Sequence, residues 1–321
     1  MQQSSNKVLT TRGGFLRQTF REKGLRGLVR KIGSALQVGL PLFLLGRRTT
    51  KSVGAYFDLI TDDARLFYGD SFHFGYFPGD QKTLQEGLDA HTDLVAEMAR
   101  LANARTVLDI GCGIGAPAIR IAKKYPNLQI TGVNISREQV EQGKKFVAEH
   151  GLSHKITIKE GNALALDWKE NSADAILCLE VAGDICVANE QKKKLIGEMF
   201  RVLKPAGTLG FSDLVFKSSP TAEEEKIMRA ILYHEGKELI TDWASLFRAQ
   251  GFEVLEEKEI LSETMPTWDH SIAVYENQSK QVEERYGKRI AASTLQHLRK
   301  IPDILARHAA FVILSLRKPH S

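Results

Sequence analysis

The stretch that most constrains this chain is Val107-Leu108-Asp109-Ile110-Gly111-Cys112-Gly113-Ile114-Gly115. A short apolar run bounded by turn residues reads as a buried strand, and the alternating glycines after it demand a tight turn. Glycine lets the backbone take φ > 0 and approach a ligand closely. A helical pattern over residues 116–124 follows at once. Strand, glycine turn and helix in that order build a ligand site at the carboxyl end of an open α/β sheet. The spacing is G-x-G-x-G, not the G-x-G-x-x-G of a dinucleotide loop. Asp109 precedes the first glycine by two positions. Its carboxylate would repel a phosphate and suits the ammonium end of an amino acid.

The rest of the chain supplies the sheet. Strand patterns fall at residues 105–110, 128–134, 155–160, 173–179, 207–215, 252–260 and 310–317. An amphipathic helix is predicted over 84–102, and helices near 116–124, 136–150 and 187–203 alternate with the strands. Such alternation predicts an α/β fold: a Rossmann-like, doubly wound, mostly parallel seven-stranded sheet with helices on both faces. A helical N-terminal arm and C-terminal helical insertions complete it. We read residues 1–51 as the arm, 52–83 as an aromatic acceptor-side segment, and 84–321 as the main domain. Cap insertions are expected near 221–250 and 262–308. His234 and Trp243 lie in the first of them, where they could roof a pocket or simply pack.

The glycine stretch resembles the first motif of class I S-adenosylmethionine-dependent methyltransferases, and the resemblance runs in order over about residues 84–216. It implies that S-adenosylmethionine is the cofactor, held by Asp109, Gly111, Cys112, Gly113 and Gly115. Asn134 stands where the family usually has an acid for the ribose hydroxyls, and Ile135, Ser136 and Gln139 follow it as in some subfamilies. An Asn amide can accept one hydroxyl hydrogen bond and donate another. Gly161-Asn162-Ala163 takes the place of the family's Gly-Asp-Ala, which implies adenine recognition by Asn162 beside Ala163. Leu179, at the end of the fourth strand, and Ser71 are also expected at the cofactor. Residues 201–207 (RVLKPAG) match the turn before the family's fifth strand.

Residues 68–77 (YGDSFHFGYF) are half Phe and Tyr with a histidine among them, and they follow Tyr56-Phe57-Asp58. This segment resembles the sterol C-methyltransferases, which carry a Gly-x-Ser-Phe-His-Phe motif. Those enzymes methylate an isoprenoid C=C bond, and related chemistry acts on prenyl diphosphates. An alkene needs no base to start, but its attack on a methyl leaves a carbocation. Aromatic faces stabilise a desolvated cation by ~2 kcal/mol or more, a base must take a proton, and water must be excluded. The resemblance points to Tyr68, Phe72 and His73 on the aromatic side. Glu180 and Asp184, on the loop after the fourth strand, are the candidate bases or electrostatic partners. Val181-Ala182-Gly183 replaces the Thr-Cys-His stretch of the sterol group, so this stretch does not itself imply a sterol.

Charge narrows the partners. Residues 1–51 hold eleven Lys/Arg and one acid, Glu22, whereas the remaining chain holds 33 basic and 38 acidic residues. The basic character belongs to the arm, so a nucleic-acid face on the body is not expected. The arm's apolar residues Leu16, Phe20, Leu25, Leu28, Val29, Ile32 and Leu36 recur at helical spacing between its cations. That pattern fits contact with a membrane surface, a covering helix, or a targeting segment. A cytoplasmic protein, peripheral to a membrane through its arm, is the expectation. Cys112, Cys178 and Cys186 suit buried thiols rather than disulfides or a zinc site. No catalytic metal is indicated; Mg²⁺ would enter only with a diphosphate acceptor. Two other functions stay open: O- or N-methylation of a small natural product with His73 as base, and a silent methyltransferase-fold subunit.

Overall fold

A computed structural model describes residues 50–186, 188–232 and 241–320. The arm up to residue 49 and His234 lie outside the described residues. The described residues form one seven-stranded sheet, ordered β3-β2-β1-β4-β5-β7-β6. The strands are β1 (Thr106–Ile110), β2 (Gln129–Asn134), β3 (Ile156–Glu160), β4 (Ala173–Leu179), β5 (Leu203–Phe216), β6 (Glu253–Glu259) and β7 (Ala309–Arg317). All pairings among β1–β5 are parallel, and β7 runs antiparallel to both its neighbours.

Period-two alternation divides the core. Val107 on β1 and Leu177 on β4 enter one apolar cluster, while Leu108, Ile110, Ile176 and Cys178 enter the other. Each fully buried aliphatic side chain contributes ~1.5–3 kcal/mol, so both faces must be covered by helices. On the first face lie α2 (Leu84–Met98), α3 (Ala116–Lys124) and α4 (Arg137–Glu149), while α1 (Thr50–Tyr68) packs against α4 and sets Val53 and Phe57 against the second cluster. Thr83 and Glu86 close α2 with a reciprocal capping box. The other face carries α5 (Ala182–Ile185), α6 (Asn189–Val202) and, beyond α7 (Ala222–Leu232), α8 (Trp243–Ala249). Trp243 packs against Phe211 and Phe247 in this core, its rings 5.1 and 6.2 Å away. It therefore packs rather than roofs a pocket.

Two segments differ from the sequence reading. The acceptor-side segment begins with a helix, α1, which already starts within the arm's assigned range. Its stripes at i, i+4 spacing do separate jobs. Asp58 accepts hydrogen bonds from Ser136 Oγ (2.6 Å) and the backbone N–H of Glu138 (3.0 Å), and Asp62 accepts one from Gln142 (2.9 Å). A carboxylate at the N-terminus of α4 is favoured there by the helix dipole. The second difference is the C-terminal insertion. It folds as α9 (Leu261–Thr264), α10 (Pro266–Asn277), α11 (Ser279–Tyr286), α12 (Lys288–Leu298) and α13 (Ile301–His308). Gly287, at φ 86°, and Pro302, in the first turn of α13, break what the helical periodicity presents as continuous. Among the described residues no helix is long and apolar enough to cross a membrane.

Candidate active site

At the carboxyl ends of β1, β2 and β4 lies a cleft lined by Asp109, Gly111, Cys112, Gly113, Asn134, Ile135, Gln139, Asn162, Ala163 and Leu179. Its empty space is about 850 Å³ including the open mouth. The glycine turn is built for close approach. Gly111 sits at φ 70° against Val181, whose Cγ2 would overlap any added Cβ. Gly115, at φ 85°, stands at the head of α3 and does not line the cleft. Ser71 also lies elsewhere, in a groove with Asp89 and Arg120.

Asp109 is buried, and burial pushes its carboxyl up to about 7. Its Oδ2 is buried without a hydrogen-bond partner. A buried unsatisfied carboxylate oxygen is costly, and an ammonium placed there would remove the cost. Asn134 Nδ2 donates to Gln139 Oε1 (2.7 Å) and to the carbonyl of Gly113 (3.3 Å), while its Oδ1 accepts from the N–H of Ser136 (2.9 Å). Asn134 thus orients Gln139 at the cleft wall. Asn162 Oδ1 accepts from the N–H of Leu164 (2.9 Å), with one lone pair left for an amino group. Val53 and Phe57 of α1 close the cleft from above. The orphaned Asp109 oxygen and the glycine cradle fit an amino-acid-bearing cofactor such as S-adenosylmethionine.

A second chamber opens beside the cleft, lined by rings of Tyr56, Tyr68 and Phe74 and by Asp213. Phe57, Phe72, His73, Glu180 and Asp184 line both spaces and form the junction between them. The backbone N–H and carbonyl of Phe74 organise this junction. Its N–H donates to Glu180 Oε1 (2.7 Å), and its carbonyl accepts from Nδ1 of His73 (2.8 Å) and of His91 (2.7 Å). A carbonyl can only accept, so both Nδ1 atoms carry the proton. His73 Nε2 then takes the hydroxyl of Thr92 (3.3 Å). Burial lowers His73 to about 4 and His91 to about 3, so both rings are neutral at pH 7. His73, His91 and Glu180 bring donor atoms within 4.8 Å of one another, a grouping that these hydrogen bonds already explain.

The carboxyls set the charge. Glu180 is held at φ 52°, a conformation that costs a non-glycine residue ~1–3 kcal/mol, with its N–H on the carbonyl of Ser212 (2.8 Å). Burial raises its carboxyl well above the usual range, and the charges of Asp213 and Asp184 add to this. Burial also pushes Asp213 up to about 8, although its Oδ2 accepts the N–H of Gly183 (2.8 Å). Among the described residues no lysine or arginine lines the chamber. Asp213 and His91 are absent from the residues singled out in the sequence, and Phe57 enters there only as part of the stretch before the aromatic run. Asp213 had one signal, an acid inside the apolar run of β5, and His91 sits at core spacing with Leu88 and Val95 on α2.

Residues 107–207 match the family model described as a methyltransferase domain. The chain is 26% identical over 274 residues to the 27-O-demethylrifamycin SV methyltransferase of Amycolatopsis mediterranei, covering 84% of this chain and 98% of that protein. It is 28% identical over 211 residues to the sterol 24-C-methyltransferase of Aspergillus fumigatus, covering 64% of this chain and 54% of that protein. The match thus spans about half of the sterol enzyme. The crystal structure of the (4+2)-cyclase SpnF superposes with a TM-score of 0.70 at 28% identity, covering 85% of this chain and 97% of that one. Fold, cofactor cleft and relatives together define a class I S-adenosylmethionine-dependent methyltransferase. Within that class the chain is similar to sterol C-methyltransferases and to enzymes of natural-product methylation.

Proposed function

We propose that the chain transfers a methyl group to a carbon of an isoprenoid C=C bond, in a prenyl diphosphate such as farnesyl diphosphate or in a sterol-like lipid. The observation that carries this reading is the junction. Two rings, Phe57 and Phe72, and two carboxyls, Glu180 and Asp184, line both cleft and chamber where the two spaces meet. S-adenosylmethionine supplies an electrophilic methyl on a sulfonium. The π pair of the acceptor would form the new C–C bond as the S–CH3 bond breaks, its electron pair returning to sulfur to leave S-adenosylhomocysteine, and the adjacent carbon would become cationic. Ring faces and carboxyls hold that charge. Glu180, lowered toward its ionised form by the nearby cation, takes the proton whose C–H pair restores an alkene. Rearrangement or cyclisation can precede that proton loss.

Among the described residues the chamber offers no lysine or arginine to receive an anionic head, so the reacting bond lies remote from any diphosphate. The basic arm of residues 1–51 is the proposed partner for such a head, with Mg²⁺, or for lipid headgroups. Methylation at oxygen is the second reading, favoured by the long match to the rifamycin enzyme. His73 serves it poorly as a base, because both its ring nitrogens are engaged. Labelled S-adenosylmethionine with sterols, prenyl diphosphates and phenols separates the two. Label on carbon in a prenyl or sterol product supports the proposal, and label on a phenol oxygen alone contradicts it.

A further inference from the structure

The acceptor chamber does not end at Tyr68. A third space lies beyond it, between α1, α7 and the helices α10–α12. Tyr56, Ile60, Ala64, Tyr68 and Ile231 line both the second and third spaces. Tyr56, Ile60, Ala64 and Tyr68 form one i, i+4 stripe of α1, and Ile231 faces them from α7. Ala64 is the smallest of the five, so the passage is widest over its methyl group.

The third space suits hydrocarbon. Three of its polar side chains are engaged with the protein. The Tyr275 hydroxyl donates to the carbonyl of Ala291 (3.0 Å), Ser271 Oγ donates to the carbonyl of Thr267 (2.8 Å), and the Tyr286 hydroxyl bonds Asp63. Most of the remaining lining is ring and aliphatic surface, including Val282 and Leu298, with the carboxyl of Asp63 beside it. Among the described residues no lysine or arginine lines it. At its outer edge Ile290 is the one large hydrophobic side chain that is exposed among the described residues.

We propose that this third space is a subsite for the distal part of a linear isoprenoid acceptor, and that Ala64 and Ile231 form the gate that sets acceptor length. The proposal rests on the second chamber being the acceptor site. An acceptor with its reacting bond at the junction then runs past Ala64 and lies along α12. A short acceptor ends before the gate, whereas a longer one must pass it.

The test compares kcat/KM for geranyl, farnesyl and geranylgeranyl acceptors, as alcohols and as diphosphates, in four proteins: wild type, Ala64→Phe, Thr294→Phe and Ile231→Ala. Thr294 lines only the third space. S-adenosylhomocysteine affinity, measured for each, reports an intact fold. Ala64→Phe and Thr294→Phe should each lower the farnesyl-to-geranyl ratio at least about tenfold, since one isoprene unit loses its burial. Ile231→Ala should raise the geranylgeranyl-to-farnesyl ratio. Ratios unchanged in all three variants would overturn the gate while leaving the acceptor chamber standing. A wild-type enzyme that methylates no prenyl chain would overturn the acceptor reading itself, and the gate with it.

Discussion

Glu180 Oε1 accepts the backbone N–H of Phe74 at 2.7 Å across 106 residues of sequence. The bond joins the loop after β4 to the aromatic segment after α1, and so ties cofactor cleft to acceptor chamber. Glu180→Gln keeps an oxygen for Phe74 and removes the charge. Turnover should fall by about a hundredfold or more, the scale of a lost general base. S-adenosylhomocysteine affinity, read by calorimetry, should change little. Loss of cofactor binding in step with activity would mean that Glu180 holds the fold of the loop and nothing more.

Phe72 stands at the same junction. Phe72→Leu keeps volume and removes the π face. Removing a cation–π contact of ~2 kcal/mol should slow turnover by roughly thirtyfold with cofactor affinity preserved. A wild-type rate in single-turnover assays would leave no role for the ring in stabilising charge.

Asp109 makes cofactor binding depend on pH. Its carboxyl, at about 7 in the unliganded protein, must be ionised to meet an ammonium, and the ammonium then lowers it further. Binding is therefore strongest above about pH 7. Below that it weakens, by up to about tenfold per pH unit, as the carboxyl takes up a proton that binding must expel. Titration calorimetry from pH 5 to pH 8 reads this directly. In Asp109→Asn that slope should vanish along with most of the affinity.

Gly111 tests the turn. Gly111→Ala places a Cβ into Val181 and forces a non-glycine residue to φ 70°. Cofactor binding should be lost. Adding Val181→Ala removes the side-chain overlap but not the backbone strain, so the double variant should recover part of the affinity. Full recovery would show that the φ value costs nothing there.

Asp213 gives the folded protein a proton that the unfolded chain lacks between the ordinary carboxyl value of ~3.9 and about 8. Stability carried by that proton is present at low pH and declines as pH rises, by about 1.4 kcal/mol per pH unit for one group. Asp213→Asn should flatten the slope and raise the melting temperature at pH 8. Chemical denaturation at pH 5, 6.5 and 8 checks the sign.

Much of this architecture could be read from the sequence because strand burial leaves a continuous apolar signature. The strand patterns at 105–110 and 128–134 became Thr106–Ile110 and Gln129–Asn134, and the glycine turn lies where β1 ends. The junction was legible in Phe72, His73, Glu180 and Asp184, all of which line it. Other features had no local signal. Helix α1 carries three functional stripes on one helix, so its aromatic content masked its periodicity. Asp213 and His91 look like ordinary members of a strand and a helix, and their importance comes only from what β4 and the Phe74 backbone bring beside them. Ser71 follows the motif's order but is turned into a different groove.

The central claim is that the methyl group goes to carbon through a cation that Glu180 helps to resolve. Isotope-labelled S-adenosylmethionine with a farnesyl acceptor, followed by NMR and mass analysis of products from wild type and Glu180→Gln, tests it most directly. The account predicts a carbon-bound labelled methyl and loss of one acceptor proton in the wild type. It predicts a slower reaction with additional deprotonated or rearranged products in Glu180→Gln, because a cation without its base lives longer. A single product with the label on oxygen or nitrogen, the same in both proteins, would contradict it.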